Sequence, residues 1–411
     1  MKILLSAYAC EPGKGSEPGV GWNVARAVAA EHEVWVLTRA NNRPAIEAAL
    51  ARNPQPGLHF AYYDLPPRLR GWKHGQRGVH LYYLLWQVGA AAVARELHAR
   101  VGFDVAHHVT FVNYYWPTAV DGLGVPFLWG PVGGGESAPR NFWPGLGARG
   151  AAFEAVRELN RWLAECNPQV RAAARHAGLA LATTPETAAR LRRLGAREVR
   201  VFSQVGLLRD EINALGSLPQ LPERPLRFLS LGRLLAWKGF HLGLEAFAHS
   251  GLTEAEYWIV GDGPERERLE RQAERLGVAG RVRFWGWLAR AQALQALAQC
   301  HALVHPSLHD SGGWVCLEAM AAGRPVLCLD LGGPALQVSE ETGIRVPGLS
   351  PQQAMADLAE GMVRLAQTPG LLSSMGEASR AHVRDEFCWE RKGKKIGAFY
   401  EQLSKIDPIC I

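Results

Sequence analysis

The chain is poor in lysine, has no paired-cysteine motif and lacks a long apolar run. Its seven cysteines stand at 10, 166, 300, 316, 328, 388 and 410. None forms a Cys-x-x-Cys pair, which argues against a structural zinc site or a disulfide frame; they read as buried thiols of a reducing compartment. The longest apolar stretch, LYYLLWQVGAAAVA at 81–94, has 14 residues with Gln87 among them, against about 20 for a bilayer-spanning helix. The opening MKILLSAYACEPG reads as a strand and a turn rather than the apolar core of a signal peptide. A cytoplasmic protein is expected. No repeat or low-complexity segment is visible, and no nucleic-acid recognition motif accompanies the formal charge of +6, so a nucleic-acid partner is not expected.

What is present is an alternation of strand-like and helix-like segments over 411 residues, enough for two α/β domains with separate cores. The charge is uneven. Residues 1–210 carry 24 Lys and Arg against 16 Asp and Glu, whereas residues 211–411 carry 21 against 23. A basic first half suits an anionic partner such as a membrane surface, a lipid phosphate or a nucleotide.

The most informative stretch is 301–334, HALVHPSLHDSGGWVCLEAMAAGRPVLCLDLGGP. It reads as strand, loop, helix, strand and loop, with the helix stopped by Gly323 and Pro325. Asp310 lies in the loop and Glu318 in the helix. Between them, Gly312 and Gly313 let a ligand approach the backbone, and the helix start through Trp314 and Val315 offers N–H groups and a positive dipole end. A sugar nucleotide fits this combination, with the diphosphate at the helix start and hydroxyls on the two acids. The plain alternative is a carboxylate that caps the turn and another that is merely solvated, but Glu318 shares its helix with Val315, Leu317 and Met320, where a carboxylate needs a partner.

This stretch resembles the donor-site signature of glycosyltransferase family 4. That signature is an acid, seven residues, Glu-Ala-Met and then Gly-x-Pro-Val. Asp310, Glu318, Ala319, Met320, Gly323, Pro325 and Val326 occupy its positions. Two departures are an Asp where Glu is commoner, one methylene shorter, and Gly312 where an aromatic is usual. The resemblance implies a GT-B fold, two Rossmann-like domains facing across a cleft, and retaining transfer from a nucleotide sugar.

Upstream, LRFLSLGRLLAWKGF (226–240) places Arg233 and Lys238 between a strand end and a helix start. Two cations there run against the dipole preference, and an anion between them resolves it. Only eight of the 45 basic residues are Lys, so a Lys in this loop is less apt to be filler. The pair resembles the family's Gly-Arg…Lys-Gly segment, whose cations bind the diphosphate. By the same resemblance Gly261 and Gly263, after the strand YWIV, and Trp285, in VRFWGWL, border the nucleobase.

In the first half, Gly15, Ser16 and Glu17 belong to a long glycine-rich βα loop that the resemblance sets beside the acceptor. FDVAHHVTF (103–111) ends a strand in His107 and His108, and PFLWGPVGGGE (126–136) runs into Gly133, Gly134 and Gly135. Strand ends of a parallel sheet face the ligand crevice. The family's Asp-x-x-His pattern falls on Asp104 and His107, implying that His107 meets the donor sugar. The alternation of side chains along a strand allows only one of the two histidines to point in. Two segments mix cations with aromatics: 66–100, with Arg68, Arg70, Lys73, Arg77, Trp72, Tyr82, Tyr83 and Trp86, and 139–163. Each reads either as a face for an anionic membrane or as a core helix with its arginines in solvent.

The expected organisation is a first domain 1–206, a Pro-rich linker 207–225, a nucleotide-sugar domain 226–386 and a returning C-terminal helix 387–411. The expected activity is sugar transfer from a UDP- or GDP-linked donor to a saccharide or lipid-linked acceptor. No Asp-x-Asp motif lies near the site, so no metal or other cofactor is expected. Competing readings are a sugar-nucleotide epimerase or hydrolase on the same fold, a non-catalytic sugar-nucleotide binder, and an NADP-dependent oxidoreductase using Arg39 at the end of the second strand.

Overall fold

The computed structural model describes residues 1–69, 72, 75, 78–111, 113–219, 221 and 225–405. The chain divides into two compact units. One comprises Met1–Gly135, Asn160–Val205 and Trp389–Ile411; the other comprises Glu136–Leu159 and Gly206–Cys388. Each is built on a parallel sheet with helices between its strands.

The first sheet contains β1 (Lys2–Ser6), β2 (Glu33–Arg39), β3 (Leu58–Tyr63), β4 (Val105–His108), β5 (Phe127–Val132), β6 (Leu179–Ala182) and β7 (Val199–Val201), in the order β3-β2-β1-β4-β5-β6-β7. The second contains β8 (Leu226–Leu231), β9 (Ala255–Val260), β10 (Val282–Gly286), β11 (Ala302–His305), β12 (Val326–Leu329) and β13 (Gly343–Val346), in the order β10-β9-β8-β11-β12-β13. Both orders are doubly wound. The reversal falls between β1 and β4 in one sheet and between β8 and β11 in the other, which is where such sheets open a crevice at their carboxyl edge. Central strands β4, β5, β6, β11 and β12 are buried at every residue. Unbroken apolar runs are what a parallel strand covered on both faces requires.

The first core gathers Leu4, Tyr83, Trp86, Phe127, Trp129 and Leu191, the second Phe228, Phe240, Phe247, Tyr257, Leu327 and Met362. Tyr82, Tyr83 and Trp86, set on the helix Val79–Val101, are buried in the first core and so do not form a membrane face. The same helix exposes Leu81, Leu85 and Val88. Arg70, Lys73 and Arg77 lie outside the described residues.

Two expected boundaries differ from the structure. The supposed linker 207–225 contains a helix, Arg209–Gly216, that belongs to the second unit and packs on the helices Trp314–Ala321 and Leu371–Glu386. Its apolar side is only Ile212 and Leu215, too little in eight residues to stand out beside the prolines that follow. Residues Glu136–Leu159, expected in the first domain, belong to the second unit, where Ala138, Phe142 and Leu146 join its core.

The last helix, Trp389–Leu403, completes the first unit. It packs on the helix Ser16–Val28, and a Cβ on Gly393 would lie 2.7 Å from the Ala27 carbonyl oxygen. Lys392 donates to the Ser203 carbonyl at 2.6 Å. Of the described cysteines, Cys10, Cys300, Cys316, Cys328 and Cys388 are buried, whereas Cys166 is exposed, contrary to the expectation that all would be interior. No helix among the described residues is long and apolar enough to cross a membrane.

Candidate active site

The carboxyl edge of the second sheet carries most of the expected residues. After β8 the chain turns through Gly232 and reaches Arg233, which is exposed and for which no ion pair is found among the described residues. A single 3-10 turn, Ala236–Lys238, follows. This loop is braced backbone to backbone by the next one: Gly232 N–H donates to Val260 O and Leu234 N–H to Asp262 O, both at 3.0 Å. A Cβ on Gly261 would sit 1.9 Å from Gly232 O, and one on Gly263 2.4 Å from Leu234 O. Those two glycines are therefore fixed by the loop that presents Arg233.

Lys238 meets Asp310. Lys238 Nζ donates to Asp310 Oδ2 at 2.5 Å, and Oδ1 accepts the N–H groups of Gly312 and Gly313 at 3.1 Å each. His305 Nε2 lies 3.4 Å from Oδ2. Burial alone would raise the carboxyl's pKa, but the Lys238 ammonium and the His305 ring hold it well below the ordinary carboxylate range. Burial, aided by the Lys238 charge and opposed by the Asp310 hydrogen bond, lowers the His305 pKa, so that ring stays neutral at physiological pH. The loop is held from below: Gly333 N–H donates to Asp310 O at 2.7 Å, and Gln337 Nε2 donates to Gly312 O.

This geometry corrects one expectation. The amides of Gly312 and Gly313 are capped by Asp310 and do not await a diphosphate. The unclaimed donors of the short helix Trp314–Ala321 begin at Trp314 and Val315, where no intrahelical acceptor exists.

Glu318 sits four residues into that helix with its side chain 12% exposed. Its Oε1 accepts from Arg290 Nη2 at 2.8 Å, and the same guanidinium reaches Glu211 at 3.0 Å. Burial outweighs Arg290 and leaves the Glu318 pKa raised. Arg290 was not foreseen, because one Arg in GWLAR gives no sequence signal. At the end of β10, Trp285 is stacked by its own neighbour, with Arg283 Cζ 3.6 Å from the ring centroid. Gly286, at φ +71°, turns the chain so that Trp287 is 75% exposed. Trp287, not singled out from sequence, is the open aromatic surface on this strand end.

The first-unit candidates divide differently. His107 is wholly buried. Its Nε2 lies 2.6 Å from Gly130 O and its Nδ1 2.6 Å from the Tyr400 hydroxyl. A carbonyl only accepts, so Nε2 carries the proton and Nδ1 accepts from Tyr400. Burial holds this ring to a pKa of about 4. His108, equally enclosed, contacts Tyr83 Oη at 3.3 Å and Thr118 Oγ1 at 3.1 Å, and burial brings it to about 3. Neither ring has a face for a ligand, so the expected role of His107 at the donor sugar is not supported. Asp104, the acid of the Asp-x-x-His pattern, accepts the Lys2 N–H at 2.7 Å.

Gly133, Gly134 and Gly135 are also interior. Cβ atoms on Gly134 and Gly135 would lie 2.7 Å from Asn113 Oδ1 and 2.5 Å from Thr187 Cα, and Arg161 donates to Gly134 O at 3.1 Å. The protein's own chain fills the space that an acceptor was expected to use.

Gly15, by contrast, is exposed and precedes the helix Ser16–Val28. Ser16 and Phe111 both adopt left-handed backbone, at φ +59° and +61°, and Glu17 Oε2 bridges to Phe111 N–H at 2.8 Å. Such strain in two non-glycine residues costs on the order of 1–3 kcal/mol each and gathers at functional loops. Arg39 donates to Asn41 and Tyr8, so it is not waiting for a 2′-phosphate.

Residues 218–382 match the family described as Glycosyl transferases group 1. Over that stretch the chain is similar to group 1 glycosyltransferases, and its two doubly wound sheets are those of a GT-B fold. Among similar proteins are two lipopolysaccharide core biosynthesis glycosyltransferases of Rhizobium meliloti (strain 1021). LpsD is 30% identical over 205 residues, covering 50% of this chain and 58% of the relative. LpsE is 34% identical over 214 residues, covering 50% and 61%. The matches thus span less than two thirds of these relatives. Among solved structures, sucrose-phosphate synthase from Thermosynechococcus elongatus superposes with a TM-score of 0.64 at 21% identity, over 98% of both chains, a likeness of fold alone. The matched stretch contains Arg233, Lys238, Asp310 and Glu318. Among the described residues no cluster of three or more His, Cys, Asp or Glu is placed to hold a metal ion.

Proposed function

We propose that this chain transfers a hexose from a UDP- or GDP-linked donor to an acceptor hydroxyl, with retention of anomeric configuration, in glycoconjugate synthesis. The observation that carries this reading is the Lys238–Asp310 pair at the carboxyl edge of the second sheet, with Arg233 exposed in the same loop and Glu318 one helix further on. When the bond from the anomeric carbon to the diphosphate breaks, its electron pair passes to the diphosphate. Arg233 and Lys238 stand where that charge grows, and fixed cations of this kind stabilise it without a metal ion. Asp310, kept ionised, accepts hydroxyls of the sugar, and Glu318 those of the ribose. Trp287 offers a stacking surface for the base. Glu17, half-buried beside a strained loop, is the first unit's candidate for the acceptor.

The deciding experiment is a thermal-shift and turnover panel of UDP-, GDP- and ADP-hexoses, with NADP⁺ as a control, with and without EDTA. Stabilisation by one nucleoside diphosphate sugar, unchanged by EDTA and lost in Glu318→Ala, supports the reading. A shift with NADP⁺ alone, or turnover lost with EDTA and restored by Mg²⁺, refutes the donor or the metal-free part respectively.

A lipid-linked acceptor or contact with an anionic bilayer belongs to the same proposal. It is supported by Phe153, Val156 and Leu159, all exposed on the second-unit part of the helix Gly147–Glu165, with Arg149 and Arg157 on the same part. Failure of the protein to float with anionic liposomes at low salt removes that part.

A further inference from the structure

The second unit contains a cavity of about 620 Å³ at the edge of its sheet opposite to the candidate active site. Its lining includes Leu226 and Ala255, where β8 and β9 begin, with His301 and Arg324 just before β11 and β12. Lys238 and Asp310 lie past the other ends of the same strands. Volumes of this size are typical of small-molecule sites.

The cavity is built around two guanidinium groups. Arg324 is 6% exposed. Its Nη2 donates to Pro219 O at 3.1 Å and Ala298 O at 3.0 Å, yet its Nε is buried without a hydrogen-bond partner. Arg380 donates through Nη2 to Ala322 O at 3.3 Å, and its Nε is likewise buried and unpartnered. Its guanidinium rests on Gly323, where a Cβ would lie 2.4 Å from Cζ. Like charges placed this close are costly. Burial first, and then Arg380, lower the pKa of Arg324. Both Nε atoms are closed to solvent, so an anion in the cavity would be met by the other guanidinium nitrogens.

The helix that carries Arg380 supplies further donors. The 16-residue helix Leu371–Glu386 starts at the cavity: Gly370, its N-cap at φ +74°, and Leu372 and Ser373 in its first turn all line the space. First-turn N–H groups and the dipole favour an anion there. Thr253 and Thr368 add hydroxyls, and the single carboxylate among the described lining residues, Glu254, is exposed.

We propose that this cavity is a binding site for a phosphate-class dianion, held by Arg324, Arg380 and the start of the helix Leu371–Glu386, separate from the candidate donor site. Arginine forks match tetrahedral oxyanions well. The cavity has room for more than the anion, so a phosphomonoester with a sugar-sized body fits as well as free phosphate.

The test is a thermal-shift titration of the full chain with inorganic phosphate and with glucose 6-phosphate at constant ionic strength. The wild type is compared with Arg380→Met, Arg324→Met and Lys238→Met, each checked for folding by circular dichroism. The expected result is saturable stabilisation in the wild type and in Lys238→Met, with apparent affinity reduced at least tenfold in Arg380→Met. Arg380 is half-exposed, so that variant stays informative if the more buried Arg324→Met does not fold. Tighter binding of the ester assigns the remaining space to its sugar body, and equal binding assigns the site to the free anion. The proposal is overturned if the wild type shows no saturable shift, if the shift survives in Arg380→Met, or if it vanishes in Lys238→Met instead, which would put the anion on the donor rim. An active transferase with no phosphate-dependent shift would overturn this inference alone.

Discussion

Replacing Lys238 by Met keeps the side chain's length and removes the ammonium 2.5 Å from Asp310. Two losses follow, and they are separable. The resting protein loses the counter-charge of a carboxylate whose side chain is 17% exposed, beside a lysine side chain 23% exposed. Exposed pairs contribute about 0–1 kcal/mol and breaking a buried one costs about 3–5; this intermediate pair should cost roughly 1–3 kcal/mol. The folded pKa of Asp310 is depressed, so its contribution is present above the unfolded value and lost as pH falls through the folded one. The destabilisation should therefore be seen at neutral pH and fade on acidification.

The second loss is catalytic. Removing one contact to developing charge costs about 2–4 kcal/mol, or roughly 30- to 1000-fold in kcat. The assay is the initial rate of nucleoside diphosphate release at saturating donor, for Lys238→Met, Asp310→Asn and the double variant. If Lys238 acts on the leaving group, the double variant is slower than either single one. If Lys238 only neutralises Asp310, the Asn side chain makes it redundant. A double variant no slower than Asp310→Asn would refute the leaving-group role.

Four further outcomes are expected. Glu318 has a raised pKa from burial, so it takes up a proton at a higher pH than an ordinary glutamate. KM for the donor should rise on mild acidification while Asp310 stays ionised, and the Glu318→Gln variant should show a high KM with little pH dependence. Tyr400→Phe leaves His107 Nδ1 buried without its donor, at a cost of about 1–3 kcal/mol, read as a lower Tm with donor KM unchanged. His107 and His108 are held near 4 and 3, below their ordinary 6.5. Their contribution is full above 6.5 and is lost as pH falls from there toward those values, so a urea midpoint measured over pH 7 to 4 should decline in that window. Gly261→Ala places a Cβ against Gly232 O at φ +136°. It should displace the Arg233 loop and weaken donor binding more than tenfold in a titration.

The sequence revealed the sites that depend on residue type at short spacing. Asp310 and Glu318 belong to one loop and the helix it opens, and the ladder of apolar runs announced both sheets; Lys238, 72 positions before Asp310, was legible only through its own spacing from Arg233 and is brought to Asp310 by the pairing of β8 with β11. It misled where a residue's partner is distant. His107 was placed at a strand end, which is correct, but the hydroxyl that occupies it comes from Tyr400, 293 positions later. Gly133 to Gly135 looked like room for a ligand, yet Asn113 and Thr187 take that room. Arg290 was invisible because its meaning comes from Glu211 and Glu318, on two other helices. The second-unit membership of Glu136–Leu159 was equally hidden, since an apolar side chain does not state which core it enters.

The first unit is closed by a helix from the far end of the chain. Gly393 against Ala27, Tyr400 on His107 and Lys392 on Ser203 are all contacts that cannot exist until Trp389–Leu403 has been made. During synthesis the first unit must therefore wait, with the Ala27 ridge bare and His107 without its hydroxyl, while Gly206–Cys388 of the second unit emerges. Folding of this chain is not vectorial: the half that is made first is finished last. A nascent chain stalled before residue 389 should hold a completed second unit beside an unfinished first one, and it is the unfinished one that a chaperone would recognise.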